Sequence, residues 1–279
     1  MRKTFACGGR VLDLSQPQVM AVLNITEDSF SDGGQWLDPV RALEHALQMA
    51  AEGAAIIDIG GESTRPGAIP VSLEEELDRV IPIIEAISSA IDIPISIDTS
   101  KAEVMSAAVA AGAGMINDVW ALRQPGALKA AAAAKVPVCL MHMQGDPGSM
   151  QKNPDYENVV DEINGFFKQR LSAAASAGIE HDRLLLDPGF GFGKTLEHNL
   201  QILSHVDAFD HFDLPLLVGL SRKSMLGQIT GAGVDGRLPA GIAAATIAAI
   251  QGVKIIRTHD VAASVQALKL SYAVMSVDL

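Results

Sequence analysis

The chain has 279 residues, of which 48% are hydrophobic and 4% aromatic, so a sizeable core must be built largely from Ala, Val, Ile and Leu. Its 21 Lys and Arg stand against 33 Asp and Glu, a formal net charge of −12. That balance argues against nucleic acid or an anionic membrane as partner, while local cations and helix N-termini can still hold a small anion. Two cysteines, Cys7 and Cys139, are too few for a disulfide framework or a Cys-rich zinc site. The longest apolar stretch, 240–250, is shorter than the roughly 18–20 residues that cross a bilayer, and a cytoplasmic protein is expected.

Residues 5–14, around Gly8-Gly9, read as a β-hairpin that precedes the main domain. Eight strand-like runs follow, at 19–23, 55–59, 94–97, 115–116, 137–141, 184–186, 215–220 and 253–256. Most are continuously apolar, as parallel strands covered on both faces read. Helical patterns separate them. Asp38-Pro39 opens the first, and Ser72 with Glu75 forms a capping box for the second, in which Pro82 should bend or shorten the helix. Later helices are expected over 101–111, 127–134, 155–177, 196–206, 238–251 and 261–274, with a short turn from Ser224. Eight β-then-α units predict one (β/α)₈ TIM barrel domain over 1–279, with the hairpin at its bottom; a barrel commonly runs to about 250 residues. The run Gly189–Thr195 imitates a phosphate loop, but Pro188 stands where the first glycine is required.

A barrel's chemistry lies at the C-terminal ends of its strands. In chain order those ends carry Asn24, Glu62-Ser63-Thr64-Arg65, Asp98, Asn117-Asp118, His142, Asp187, Ser221-Arg222-Lys223-Ser224, and Arg257 with His259. Asp98, Asn117, Asp187 and Lys223 together offer carboxylate acceptors, an amide that donates and accepts, and an ammonium donor, a set suited to the edge of a flat heterocycle. Asn24, Thr64, Arg65, Arg257 and His259 offer an anion pocket. Asp98 and Asp187 read equally as helix N-caps, and His142, between two methionines, reads as a packed core imidazole. Lys101 reads as a surface residue. The loops 26–36 and 60–69, rich in glycine and polar residues, sit over the strand ends as candidate lids.

The segments Asn24–Gly34, Gly61–Gly67, Ile97–Lys101, Ile116–Asp118, Leu140–Gly145, Leu186–Thr195, Gly219–Ser224 and Arg257–Asp260, in this order and spacing, resemble the dihydropteroate synthase family. The likeness covers nearly the whole chain. One departure is Glu27, where the family usually has proline, in the first candidate lid. The resemblance implies condensation of 6-hydroxymethyl-7,8-dihydropterin diphosphate with p-aminobenzoate, giving 7,8-dihydropteroate and pyrophosphate by an SN1-like path. It implies that Asp98, Asn117, Met141, Asp187, Phe190, Lys223 and Arg257 hold the pterin, with Asp98, Lys223 and Arg257 catalytic. Asn24, Thr64, Arg65, Arg257 and His259 are assigned to the diphosphate, and Asn24 and Asp32 to Mg²⁺. Phe30, Pro66 and Ser224 are assigned to p-aminobenzoate. A homodimer and sulfonamide targeting are further family expectations, and the apolar last helix, with Val261, Val265, Leu268 and Tyr272, is consistent with the former.

Other readings of these residues predict other chemistry. A methyltetrahydrofolate-dependent corrinoid methyltransferase of the same fold could share Asp98, Asn117 and Asp187, but needs neither the Ser-Thr-Arg-Pro loop nor the Arg257/His259 pair. A Schiff-base aldolase would use Lys223 in a desolvated setting. A non-catalytic paralogue should have lost some rim residues.

Overall fold

The computed structural model describes residues 4–25, 39–64 and 67–277. Asp38, the expected cap of the first helix, and Glu27 lie outside the described residues, as do the site candidates Phe30, Asp32, Arg65 and Pro66.

An antiparallel hairpin comes first, β1 (Thr4–Cys7) and β2 (Arg10–Asp13). Its two-residue turn needs positive φ twice, and Gly8 (58°) and Gly9 (86°) supply it without a Cβ penalty. Eight parallel strands follow: β3 (Gln18–Asn24), β4 (Ile56–Gly60), β5 (Ile95–Asp98), β6 (Met115–Asp118), β7 (Val138–Met141), β8 (Leu184–Asp187), β9 (Leu217–Gly219) and β10 (Ile255–Thr258). They are hydrogen-bonded in the order β8-β7-β6-β5-β4-β3-β10-β9. A parallel bridge between Leu186 and Leu216, with Leu186 N donating to Pro215 O at 3.1 Å, joins the two ends into a barrel.

Around it run α1 (Pro39–Ala51), α2 (Leu73–Ala90), α3 (Ala102–Ala111), α4 (Ala127–Ala134), α5 (Val159–Ser176), α6 (Leu196–Ser204), α7 (Ser224–Thr230), α8 (Leu238–Ile250) and α9 (Val261–Met275). Pro82 does not shorten α2, which runs on through it. The buried face of Val80, Ile83, Ile84 and Ile87 pins the helix on both sides of the missing N–H. Only half of the expected capping box appears. Ser72 Oγ accepts from Glu75 N, but the Glu75 carboxylate turns to Arg79. Helix α5 starts later than expected, where the Asn158 side chain accepts from Val160 N and Asp161 N. Helix α6 gives way to a 3-10 turn, Val206–Phe212.

Alternation along the strands divides the core in two. Outward residues such as Leu23, Ile59, Ile97, Ile116, Leu140 and Leu186 pack under the helices. Inward residues at the strand starts, Met20, Ile56, Met115, Cys139, Leu185, Leu217 and Ile255, form a separate layer closed from below by Phe5, Cys7, Leu12 and Leu14 of the hairpin. The hairpin lies so close to Gly114 that a Cβ there would be 2.4 Å from the Cys7 carbonyl. The barrel is therefore plugged at the bottom and polar only toward the top, where the inward positions become Asp58, Asp98, Asn117, Asp187 and Arg257.

Of the four apolar residues named on the last helix, Tyr272 is exposed and the other three turn inward. Val261 and Leu268 are 2% and 3% exposed and Val265 packs against the core, so this stripe serves the fold. The outward large apolar residues of α8 and α9 are Leu238, Ile247, Ile250, Leu270, Tyr272, Val274 and Met275.

If the hairpin is a structural plug remote from the rim, Leu12→Ala should cost about 2–5 kcal/mol of unfolding free energy through the cavity it leaves. Urea denaturation would read this loss, and the affinity of any rim ligand should stay at its wild-type value.

Candidate active site

The site residues belong to the strands more than expected. Asp98, Asn117, Asp187 and Arg257 are strand residues, held in the ladder by register pairs such as Asp98↔Asn117 and Met141↔Asp187. Inward-facing polar side chains at strand ends keep their backbone bonds, so the rim inherits the stiffness of the barrel.

At the centre lies Arg257. Its Nε donates to Asp58 Oδ2 at 2.6 Å and its Nη2 to Asp98 Oδ2 at 2.8 Å, while Asn117 Nδ2 donates to the same Asp58 oxygen at 3.1 Å. Asp58 has no exposed surface and was not among the expected site residues. The available signal was a lone carboxylate inside the apolar run 55–59. Burial would lower the Arg257 pKa, but the carboxylates of Asp58 and Asp98 overcome that and raise it. Asp98 moves up from the usual carboxylate range, because burial and the Asp58 charge outweigh the pull of Arg257. One guanidinium cannot neutralise two buried carboxylates fully.

A second group faces it. Asp187 Oδ1 accepts from Gly189 N at 2.7 Å, but that N–H belongs to a turn and the next helix begins only at Leu196, so the expected helix cap is corrected: the N–H aims the carboxylate. Burial pushes Asp187 up to about 6, against the pull of that N–H and of Lys223. Burial lowers Lys223 to about 8, with Asp187 opposing. The Lys223 ammonium lies 4.3 Å from the centre of the Phe192 ring, and its stem packs over Gly191. Phe190, expected beside the heterocycle, is 1% exposed and belongs to the helix-facing core. Phe192 is the ring that meets the site, two residues along the same glycine-rich run. Met141 is buried with Val119, Met143 and Met150 next to Phe192.

The loop after β9 carries backbone strain. Arg222 has φ 59°, a left-handed conformation costing on the order of 1 kcal/mol for a residue with a Cβ. Its ion pair with Asp260 (2.9 Å) and a bond from Arg237 Nη1 to its carbonyl (3.0 Å) hold it there. The turn delivers Lys223 inward and Ser224 outward. Ser224 is exposed at the start of α7 and borders a cavity of about 250 Å³ shared with Gln151, Thr195, Asn199 and Gln228.

The anion candidates lie on the other side. Asn24 ends β3, Thr64 follows β4, and His259 follows β10, and these three strands are neighbours in the order β4-β3-β10. Gly60 separates Asn24 from Asp98: a Cβ on it would lie 3.8 Å from Asn24 Oδ1 and 3.5 Å from Asp98 Cβ. His259 Nδ1 is 3.1 Å from Ser221 Oγ. The rim therefore divides into an amphoteric wall on β5–β9 and a wall on β10, β3 and β4 that carries the anion candidates, and Arg257 of β10 bonds Asp58 on the second wall and Asp98 on the first. Among the described residues no group of three or more His, Cys, Asp or Glu gathers as a metal cage. The described part of the expected Mg²⁺ pair is the Asn24 amide oxygen. Mg²⁺ commonly takes few protein oxygens and completes its shell with water and substrate phosphate, so this donor fits that mode.

Three polar residues near the rim serve the fold. Asp118 accepts from Trp120 N (2.8 Å) and Leu122 N (2.7 Å), fixing a turn in which Ala121 and Leu122 have positive φ. His142 is buried, as expected, with Nδ1 3.0 Å from Lys194 Nζ and its ring edge-on to Phe166. Lys194 also donates to Gly189 O (2.9 Å) and Phe192 O (3.0 Å), so it closes the glycine-rich run upon itself. Burial lowers Lys194 to about 7. Lys101 is a correction: it is no isolated surface residue, since its ammonium meets the carboxylates of both Glu62 and Glu76.

The model of the family described as "Pterin binding enzyme" matches residues 20–259. The dihydropteroate synthase of Escherichia coli (strain K12) is 53% identical over 268 residues, covering 96% of this chain and 95% of that protein. The Yersinia pestis dihydropteroate synthase solved as a sulfonamide drug complex superimposes with a TM-score of 0.94 at 52% identity, covering 98% of this chain and 100% of that one. The Xanthomonas albilineans dihydropteroate synthase in complex with 7,8-dihydropteroate superimposes with a TM-score of 0.90 at 48% identity, covering 99% and 100%.

The Arg257 node makes a prediction independent of activity. In Asp58→Asn the charge that repels Asp98 is gone while Arg257 remains, so the Asp98 carboxyl should titrate lower than in the wild type. Carboxyl ¹³C chemical shifts followed against pH would measure this.

Proposed function

The chain belongs to the dihydropteroate synthase family of pterin-binding enzymes, and from that premise we propose that it condenses 6-hydroxymethyl-7,8-dihydropterin diphosphate with p-aminobenzoate, releasing pyrophosphate. The observation that carries the reading is the divided rim: donors and acceptors for a flat heterocycle on one half, anion partners on the other, and Arg257 reaching both. A corrinoid methyltransferase of the same fold needs no second half, and is not favoured. Lys223 does sit in a desolvated setting, but beside Asp187 and over Phe192, which suits a donor to a bound ring.

In this reading Asp187 accepts from the amino-pyrimidine edge, Asn117 bonds the same ring, and Lys223 donates to its carbonyl or ring nitrogen. Phe192 and Met141 line the ring's surroundings. Arg257 lies against the pterin and reaches the diphosphate, with Asn24, Thr64, Arg65 and His259. Ser224 takes the carboxylate of p-aminobenzoate, whose aryl ring Phe30 and Pro66 cover. Asn24 and Asp32 would hold Mg²⁺, which would neutralise charge on the diphosphate when bound.

The aniline nitrogen is a weak nucleophile, so C–O cleavage runs ahead of attack. The bonding pair leaves with pyrophosphate and positive charge spreads from the methylene into the ring. Arg257 and Arg65 stabilise the departing anion by charge, and His259 by a hydrogen bond. Asp98, costly to ionise in the free site, gains when positive charge develops beside it, which favours the transition state over the ground state. The nitrogen lone pair then forms the C–N bond, and the resulting ammonium releases its proton.

The outer apolar residues of α8 and α9, Ile247, Ile250, Leu270 and Val274, support a homodimer through that face. No helix among the described residues is long and apolar enough to cross a membrane; a cytoplasmic location is part of the same proposal.

A coupled assay for pyrophosphate, with mass-spectrometric detection of dihydropteroate, tests the reaction. Product should appear only with pterin diphosphate, Mg²⁺ and p-aminobenzoate together, and folded protein that makes none would refute the reading. The pH profile follows from Asp98, Asp187 and Lys223. Asp98 and Asp187 must be ionised and Lys223 protonated, so kcat/KM for the pterin diphosphate should fall as the pH drops through about 7, where Asp98 protonates ahead of Asp187, and above about 8. Lys223→Gln should lower activity and remove the alkaline limb, as read from initial rates between these limits.

A further inference from the structure

Away from the rim, α2 buries a carboxylate. Glu76 has no exposed surface, an expensive position unless the charge is paired and hydrogen-bonded. Thr99 Oγ1 donates to its Oε1 at 2.6 Å, and Lys101 Nζ meets its Oε2. The same ammonium meets Glu62 Oε2 at 2.5 Å. Glu62 Oε1 in turn accepts from Val71 N at 3.1 Å. Its carboxylate thus joins the two ends of the β4–α2 loop, nine residues apart.

The loop base is pressed onto α2 as well. A Cβ at Gly61 would fall 2.7 Å from Val80 Cγ1 and 3.1 Å from Glu76 Cγ, so only glycine allows this approach. Arg79 Nη1 donates to Gly61 O at 3.0 Å. Thr99 and Lys101 directly follow Asp98, which ends β5. The cluster therefore links three things: the β5 end that bears Asp98, helix α2, and the base of the loop that bears Thr64.

We propose that Lys101 and Glu62 are positioning residues: the Glu62–Lys101–Glu76 ion-pair chain sets the geometry in which the β4–α2 loop presents Thr64 to the diphosphate end of the substrate. The inference rests on the reaction assigned above. Neither residue is asked to touch substrate. Their contribution is orientation, whose loss weakens binding without altering the reacting groups.

Three variants test it. Glu62→Gln removes the charge facing Lys101 yet keeps an acceptor for Val71 N and leaves Lys101 paired with buried Glu76, so the fold is spared. Lys101→Met deprives Glu76 of its cation and should also lower Tm. Lys101→Arg restores a cation. The expected result is a KM for pterin diphosphate raised about tenfold in Glu62→Gln, equivalent to about 1.4 kcal/mol, with kcat and Tm near wild type. Lys101→Met should show a similar rise, and Lys101→Arg should return toward wild type. A cluster serving stability alone would lower Tm and the active fraction, hence kcat, at constant KM. An unchanged KM in Glu62→Gln and Lys101→Met overturns the proposal. Calorimetric binding of pyrophosphate with Mg²⁺ needs no turnover and separates the two claims. Weaker binding in Glu62→Gln, with a wild type that makes no dihydropteroate, would overturn the assigned reaction and uphold the positioning role.

Discussion

A guanidinium shared by two carboxylates inside a barrel is the constraint on which the upper half of this molecule depends. Arg257, Asp58 and Asp98 come from β10, β4 and β5, so the cluster crosses the barrel interior and links strands that are not all neighbours. Breaking one partner would leave a buried charge uncompensated, at a cost of several kcal/mol. The arrangement also leaves two negative charges facing one positive charge. Burial first, and the Asp58 charge after it, raise Asp98 against the pull of Arg257, so it gains when a cation forms beside it. The bottom of the barrel makes the opposite choice. There the inward positions are apolar and a hairpin covers them, so the polar interior is confined to the end where a ligand enters.

Global and local electrostatics oppose each other here. The chain carries a net charge of −12, yet its candidate ligand is a dianion or more. Recognition must therefore come from groups placed at short range, Arg257 and His259 at the end of β10 with Asn24 and Thr64 at the ends of β3 and β4. The lysines near the rim are engaged differently. Lys194 and Lys223 are both depressed by burial, but Lys194 is consumed by two carbonyls of its own loop and by His142, whereas Lys223 faces Asp187. The same residue type and the same desolvation thus give a structural strut in one case and a ligand donor in the other.

Much of this was legible in the chain. Strand periodicity and the glycine turn at Gly8-Gly9 located the hairpin and the eight strands, because parallel buried strands leave a continuous apolar signature. Polar residues at the strand ends marked the rim. Strand ends were read short at Asn117 and Arg257, since a polar side chain on an inward position looks like the start of a loop. Asp58 was hidden for the converse reason: it sits within an apolar run, and only the barrel's curvature brings Arg257 to it. Phe190 and Phe192 share one motif, and the sequence has no signal for which of them turns toward the ligand; the positive φ values of Gly189, Gly191 and Gly193 decide it. Lys101 looked like a surface lysine because both its partners, Glu62 and Glu76, are distant in the chain.

The central claim is that the rim is two half-sites joined at Arg257, and separate binding of the two halves of the substrate tests it most directly. Calorimetry would measure a pterin lacking the diphosphate, and pyrophosphate with Mg²⁺, against Asp187→Asn, His259→Ala and Arg257→Met. The account predicts that Asp187→Asn weakens the pterin alone, His259→Ala weakens pyrophosphate alone, and Arg257→Met weakens both. Equal weakening of both ligands by Asp187→Asn and His259→Ala would contradict it.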